Sequence, residues 1–163
     1  MTPDAMTLED LVDLELIRQV KYKYLRVLDQ HLFDEMRDVL TEDVQARYSD
    51  GKYSFDGVEA VVAFLHESMG SEQFLSSHSV HHPEITLNGD GTATGIWKLE
   101  DNVIIGDHKI NLRGAAFYYD TYVKTDAGWR ISETGYKRIY EEMHPQAGID
   151  GLALVADWFT GED

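Results

Sequence analysis

From Leu8 to Leu28 the apolar residues fall at Leu8, Leu11, Val12, Leu16, Ile17, Val20, Tyr24 and Leu28, the three- and four-residue spacing of one helical face. Asp29-Gln30-His31 interrupts that pattern. FDEMRDVLTED, residues 33–43, predicts a second, short helix. YSDGKYSF, from Tyr48 to Phe55, reads as a hairpin turned at Asp50-Gly51. Asp56 is then placed to N-cap a third helix over GVEAVVAFLHESM. From about residue 74 the signal is β: two strands joined by NGDG, then two more joined by TDAG. Helices followed by long antiparallel strands predict an α+β fold, with the helices on one curved sheet. The tail GIDGLALVADWFTGED predicts a last short helix. Its Leu152, Leu154, Val155, Trp158 and Phe159 are too apolar for a free tail. It packs on its own domain or a subunit neighbour, or it forms a lid over a pocket.

Alternation along the strands sorts their faces. Ala93, Gly95, Trp97 and Leu99 share one side of ATGIWKLED, and Thr94, Ile96, Lys98 and Glu100 the wetter other. Asp101 has the parity of Trp97, so a longer strand aims its carboxylate at the core, whereas a shorter one leaves it in a turn. In the last strand Trp129 and Ile131 mark the buried face, and Gly135 is the expected bulge. Beyond it Tyr136, Arg138 and Tyr140 share a face. Arg138 is either a stacked surface cation or a buried one needing an anion, for which Asp101 is a candidate.

The chain has 163 residues, 43% of them hydrophobic and none of them cysteine. That composition suits one globular domain spanning 1–163, with a core at about 8–143 and a tail at 144–163. Without cysteine there is no disulfide, thiolate metal site or cysteine nucleophile. The formal net charge of −16 disfavours nucleic acid and anionic membrane as partners. An acidic N-terminus without a signal-peptide pattern, and no apolar run near the ~18–20 residues that span a bilayer, point to a cytoplasmic protein.

SHSVHHPEI places His78, His81 and His82 within five residues. Pro83 cannot donate to a strand ladder, so a bulge or edge is expected there, and parity cannot be carried from Ile85 to His78. Adjacent histidines point apart in a strand, and no HExxH or comparable spacing occurs in the chain. Three bystanders, one catalytic histidine, or a metal site are the open readings.

YLRVLD at 24–29, a histidine ahead of HHPEIT, ATGIWKLED, GAAFYYDTY and ETGYKRIYEE form an ordered series. It resembles the SnoaL-like branch of the NTF2-like superfamily, and more narrowly the bile-acid 7α-dehydratases, relatives of scytalone dehydratase. The resemblance runs from about Leu14 to Met143. It implies a cone of curved sheet and helices around a deep pocket, and trimers, with dimers as an alternative. It also implies catalytic roles for Tyr24, Asp29, His78, Asp101 and Arg138, with Tyr48, Trp97, Phe117 and Tyr136 lining the substrate site. The segment DHKINLRG departs from the dehydratase pattern in length and lacks a tyrosine found there. Five helical positions turn a side chain by ~140°, so the helix must end or bend by Asp29 if Tyr24 and Asp29 serve one site.

Eliminating water from a β-hydroxy ketone needs a base for the carbonyl-acidified proton, a donor for the enolate oxygen and an acid for the leaving hydroxyl. A histidine can be both base and acid, and a carboxylate on its other nitrogen fixes its tautomer. Either Asp29 or Asp101 could do this. Tyr24 suits the enolate oxygen, and Arg138 would hold Asp101 ionised or bind the substrate. No metal or redox cofactor is needed, and no phosphate-binding glycine loop is present. The expected activity is a cofactor-independent dehydratase acting on a hydrophobic cyclic hydroxy ketone of steroid-like type. An isomerase or polyketide-cyclase-like enzyme, or a non-catalytic binding or oligomerisation module, are the alternatives.

Overall fold

The computed structural model describes residues 6–161; the first five and last two residues of the expected domain lie outside it. Helix α1 runs Leu8–Asp29. Thr7 caps it, its hydroxyl accepting the Asp10 N–H while the Asp10 carboxylate accepts that of Thr7, a reciprocal box that satisfies two otherwise unpaired donors. A 3-10 helix at Phe33–Asp38 leads into β1, Leu40–Tyr48. Strand β2 is Tyr53–Asp56 and α2 is Val58–Met69. Four long strands follow: β3 Phe74–Leu87, β4 Thr92–Ile105, β5 Ile110–Thr125 and β6 Gly128–Pro145.

One six-stranded sheet has the order β2-β1-β6-β5-β4-β3. Every neighbouring pair is antiparallel except β1 with β6, which run parallel. Ile17, Tyr24 and Leu28 of α1, and Val61 and Leu65 of α2, pack on the sheet face carrying Leu40, Val44, Trp97, Leu99, Tyr122 and Ile131. The architecture is the expected α+β arrangement of helices on one curved sheet.

Several local expectations change. The second helix stops at Asp38, because Leu40, Val44 and Ala46 are buried in β1 and Leu40 pairs with Ile131. Short apolar runs do not distinguish helix from strand until a partner strand is known. Asp56 ends β2 and pairs with Arg47, while Gly57, at φ 89°, occupies the cap position of α2 without a side-chain cap. Gly135 is no bulge: it pairs with Tyr119 and lies against Arg47, and the register shifts occur at Ser132 and Ile139 instead. The shift at Ile139 turns Tyr140 outward, 50% exposed, and returns Glu141 and Met143 to the side of Arg138. The tail forms turns and coil rather than a helix. Leu152, Leu154 and Val155 are exposed, and Phe159 packs against His31 with ring centroids 4.3 Å apart.

Candidate active site

Asp101 settles the question of strand length: β4 continues to Ile105, and Asp101 is buried on the face of Trp97 and Leu99. Across the β3–β4 ladder its partner is His78. Two residues, His82 and Pro83, bulge out between the His81–Lys98 and Glu84–Ile96 pairs, with His82 at φ 48°. The ladder is regular from His81 back to Phe74, so Ser76, His78 and Val80 face inward together. His81 points outward, 4.0 Å from Glu100. His78 therefore stands apart from the exposed His81 and His82, and no group of three or more side chains suited to holding a metal ion occurs among the described residues.

Asp29, the last residue of α1, orients His78. Its Oδ1 lies 2.6 Å from His78 Nδ1 and accepts the Ser76 hydroxyl at 2.8 Å, while Oδ2 accepts the His78 backbone N–H at 2.9 Å. The bond to Nδ1 leaves Nε2 as the basic atom of the ring. The helix does end where the angular argument requires. Tyr24 faces an inner cavity, whereas Asp29 lines a groove on the other side of His78. The histidine forms the wall between the two spaces.

Asp101 is engaged elsewhere. Arg138 donates to it through Nη1 at 2.6 Å and Nη2 at 2.9 Å, and its Nε lies 2.9 Å from Glu141. Burial works against the Arg138 charge, and the Asp101 carboxylate more than offsets it, so the guanidinium is held above its ordinary range. The pair sits directly over Gly114, where a Cβ would come within 2.8 Å of Arg138 Nη1 and 3.1 Å of Asp101 Oδ1. Arg138 is thus the partly buried, anion-paired cation rather than a surface one.

The cavity measures about 400 Å³, at the lower end of the ~300–1,000 Å³ range of ligand pockets. His78, Asp101, Arg138, Tyr24, Tyr48, Tyr118 and Tyr136 gather at its walls, with Leu28, Leu65, Val103, Ile105 and Leu112 as apolar lining. The Tyr24 and Tyr48 hydroxyls are 2.8 Å apart. Burial pushes the pKa of both well above the ordinary tyrosine value, which keeps them protonated as donors.

Two expected lining residues are elsewhere. Trp97 points inward but lies too far along β4: it is fully buried, donating to the Tyr122 hydroxyl at 3.0 Å beneath Tyr22. Phe117 pairs with Lys98 and Lys137 on the opposite sheet face, and its neighbour Tyr118 takes the inward position. Sequence reasoning also missed Lys21, fully buried 2.8 Å from Asp120. The available signal was a cation on the Ile17–Tyr24–Leu28 stripe.

The family model described as the SnoaL-like domain matches residues 9–135. An uncharacterized protein of Mycobacterium tuberculosis is 23% identical over 143 residues, covering 85% of this chain and 93% of its own. A scytalone dehydratase-like protein of Novosphingobium aromaticivorans superposes with a TM-score of 0.75 at 20% identity, covering 82% of this chain and 88% of its own. A hexachlorocyclohexane dehydrochlorinase of Novosphingobium barchaimii does so with a TM-score of 0.76 at 16% identity, covering 90% and 99%. At such identities the structures establish a shared fold. No helix among the described residues is long and apolar enough to cross a membrane.

Proposed function

This chain belongs to the SnoaL-like domain family, and from that premise we propose that it is a cofactor-independent lyase eliminating water from a hydrophobic cyclic hydroxy ketone. The observation that carries the reading is the His78–Asp29 pair, 2.6 Å apart at Nδ1, on the wall of a cavity that also presents protonated tyrosines. His78 Nε2 removes the proton made acidic by the substrate carbonyl. Asp29 holds the Nδ1 proton and stabilises the imidazolium that forms. Negative charge moves to the carbonyl oxygen, where Tyr24, supported by its bond to Tyr48, donates. As the electron pair returns, the C–O bond breaks and the departing hydroxide takes the proton from His78 as water. Arg138 holds the Asp101 carboxylate through both terminal nitrogens and closes the polar end of the cavity.

Two proteins of similar structure, a scytalone dehydratase-like protein and a hexachlorocyclohexane dehydrochlorinase, are named for loss of water and of hydrogen chloride, which fits base-initiated elimination. A cavity of about 400 Å³ favours a compact fused-ring substrate of steroid-like type. The test is the ultraviolet absorbance of a 7α-hydroxy-3-oxo-4-ene steroid with the protein and with His78→Ala. Dehydration extends the conjugated enone and moves its absorption to longer wavelength, and the variant is expected to abolish that change. An unaltered spectrum with the parent protein would remove the steroid substrate and put the isomerase and binding-module readings ahead.

A further inference from the structure

Behind the cavity wall lies a charge that the elimination steps leave unused. Lys21 is fully buried in the middle of α1, with Nζ 3.5 Å from the centroid of the Tyr118 ring and 4.9 Å from that of Tyr24. Asp120 Oδ2 is its counter-ion at 2.8 Å. Asp120 also accepts the hydroxyls of Tyr122 at 2.8 Å and Thr134 at 2.7 Å. Burying such a pair is often no more stabilising than apolar residues of the same volume, so packing alone does not account for it.

Tyr118 carries the aromatic ring that this cation touches most closely, and its hydroxyl differs from the others around it. Tyr24 and Tyr48 bond to each other, and Tyr136 accepts the Ser49 hydroxyl at 3.0 Å. The Tyr118 hydroxyl bonds to no described residue, although the ring is buried against the cavity and lies edge to face with Tyr24. Burial raises its pKa well above the ordinary value, so it stays protonated. The hydroxyl is not sealed off from the cavity that Tyr118 lines, and an oxygen atom of a ligand is the acceptor the cavity can admit.

We propose that Tyr118 is a second catalytic hydroxyl, donating to the same substrate oxygen as Tyr24, and that Lys21 is a positioning residue whose charge on the Tyr118 ring stabilises the anion formed there. A cation on the face of a phenol draws density from the ring and strengthens its O–H as a donor. The site thus selects ligands whose oxygen is neutral on entry and gains negative charge in the cavity. This rests on the enolate reading above, yet the anion site can be tested without turnover.

The probe is 2-naphthol, whose neutral and ionised forms absorb differently, titrated with pH in the presence of the protein, of Tyr118→Phe and of Lys21→Met/Asp120→Asn. The double substitution removes both charges and leaves an acceptor for Tyr122 and Thr134. Naphthalene, which lacks the hydroxyl, serves as the packing control. The expected result is a bound naphthol that ionises more readily than the free one, an effect reduced on the order of tenfold in each variant, one pKa unit. Combining all three substitutions should add little to Tyr118→Phe alone, because the charge acts through that ring. Naphthalene should bind all forms alike. Bound naphthol that ionises like the free probe, variants that leave its ionisation unchanged, or loss of naphthalene binding by Tyr118→Phe would each overturn the proposal. A Tyr118-dependent shift without dehydration of any hydroxy enone would keep the anion site and remove the dehydratase reading.

Discussion

At the scale of single residues, one carboxylate is separated from another by what each already holds. Asp29 contacts His78 through both ring and backbone, and Asp101 is held by the two nitrogens of Arg138. Asp29→Asn keeps an acceptor for the His78 N–H but cannot stabilise an imidazolium. The expected outcome is a kcat lowered about 10²–10⁴-fold, the usual worth of general base catalysis, with the thermal unfolding curve little changed. Activity retained within a few-fold would show that Asp29 only anchors β3 to the end of α1. The sequence carried the residue types and, by parity, the inward aim of Asp101. It could not choose the partner of His78, because Asp29 lies 49 positions away and reaches it only through the docking of α1 on β3. Lys21 and Tyr118 escaped for a similar reason: a cation on an apolar stripe becomes informative only when the ring opposite it is known.

At the scale of elements, the β1–β6 pairing fixes where the cavity closes. It is the parallel contact in an otherwise antiparallel sheet, and Gly135 makes it possible because a Cβ there would run into the Arg47 carbonyl. Gly135→Ala should therefore push the two strands apart and destabilise the protein by about 1–3 kcal/mol, the usual range for overpacking. For a chain of this size that lowers the melting temperature by roughly 2–4 °C per kcal/mol, and a scan by circular dichroism would read it. An unchanged melting temperature would mean that the strands yield without loss. Sequence reasoning placed a bulge at this glycine because a strand glycine marks either a bulge or a close approach, and the two look alike until the neighbouring strand is placed. The β1 strand itself was half hidden, since VLTED fits a short helix as well as the start of a strand.

At the scale of the whole molecule, acidity dominates, with 30 Asp and Glu against 14 Lys and Arg. Several surface cations are engaged with carboxylates. Arg37 holds both Asp34 and Glu59, and Lys23 holds Asp38. Hydrogen bonds from these cations keep the three carboxyls below their ordinary pKa, as the Trp129 indole does for Asp13. A carboxyl depressed in the folded state contributes stability that is present above its unfolded value, 3.8 for aspartate, and is lost as pH falls through the folded value. Unfolding temperature should therefore drop steeply below about pH 3.8. Near pH 7 the larger effect is repulsion. Exposed pairs are worth only about 0–1 kcal/mol each, so salt raised from about 0.02 M to about 0.3 M, which shortens the screening length, should raise the melting temperature. A fall with salt would mean that the pairs outweigh the net charge.

The amino-acid sequence by itself determined the two long helices and the four long strands after them, the acidic surface and the faces of the regular strands, because these follow from periodicity and composition within a few residues. It also carried the ordered motifs by which the SnoaL-like resemblance was read. Only the tertiary structure decided which aspartate holds His78, that Tyr118 rather than Phe117 faces the cavity, that Trp97 is core, and that Lys21 lies beneath the tyrosines. Each of those depends on bulges and on the docking of α1 across the sheet. Such contacts form between residues far apart in the chain, and no local pattern encodes them.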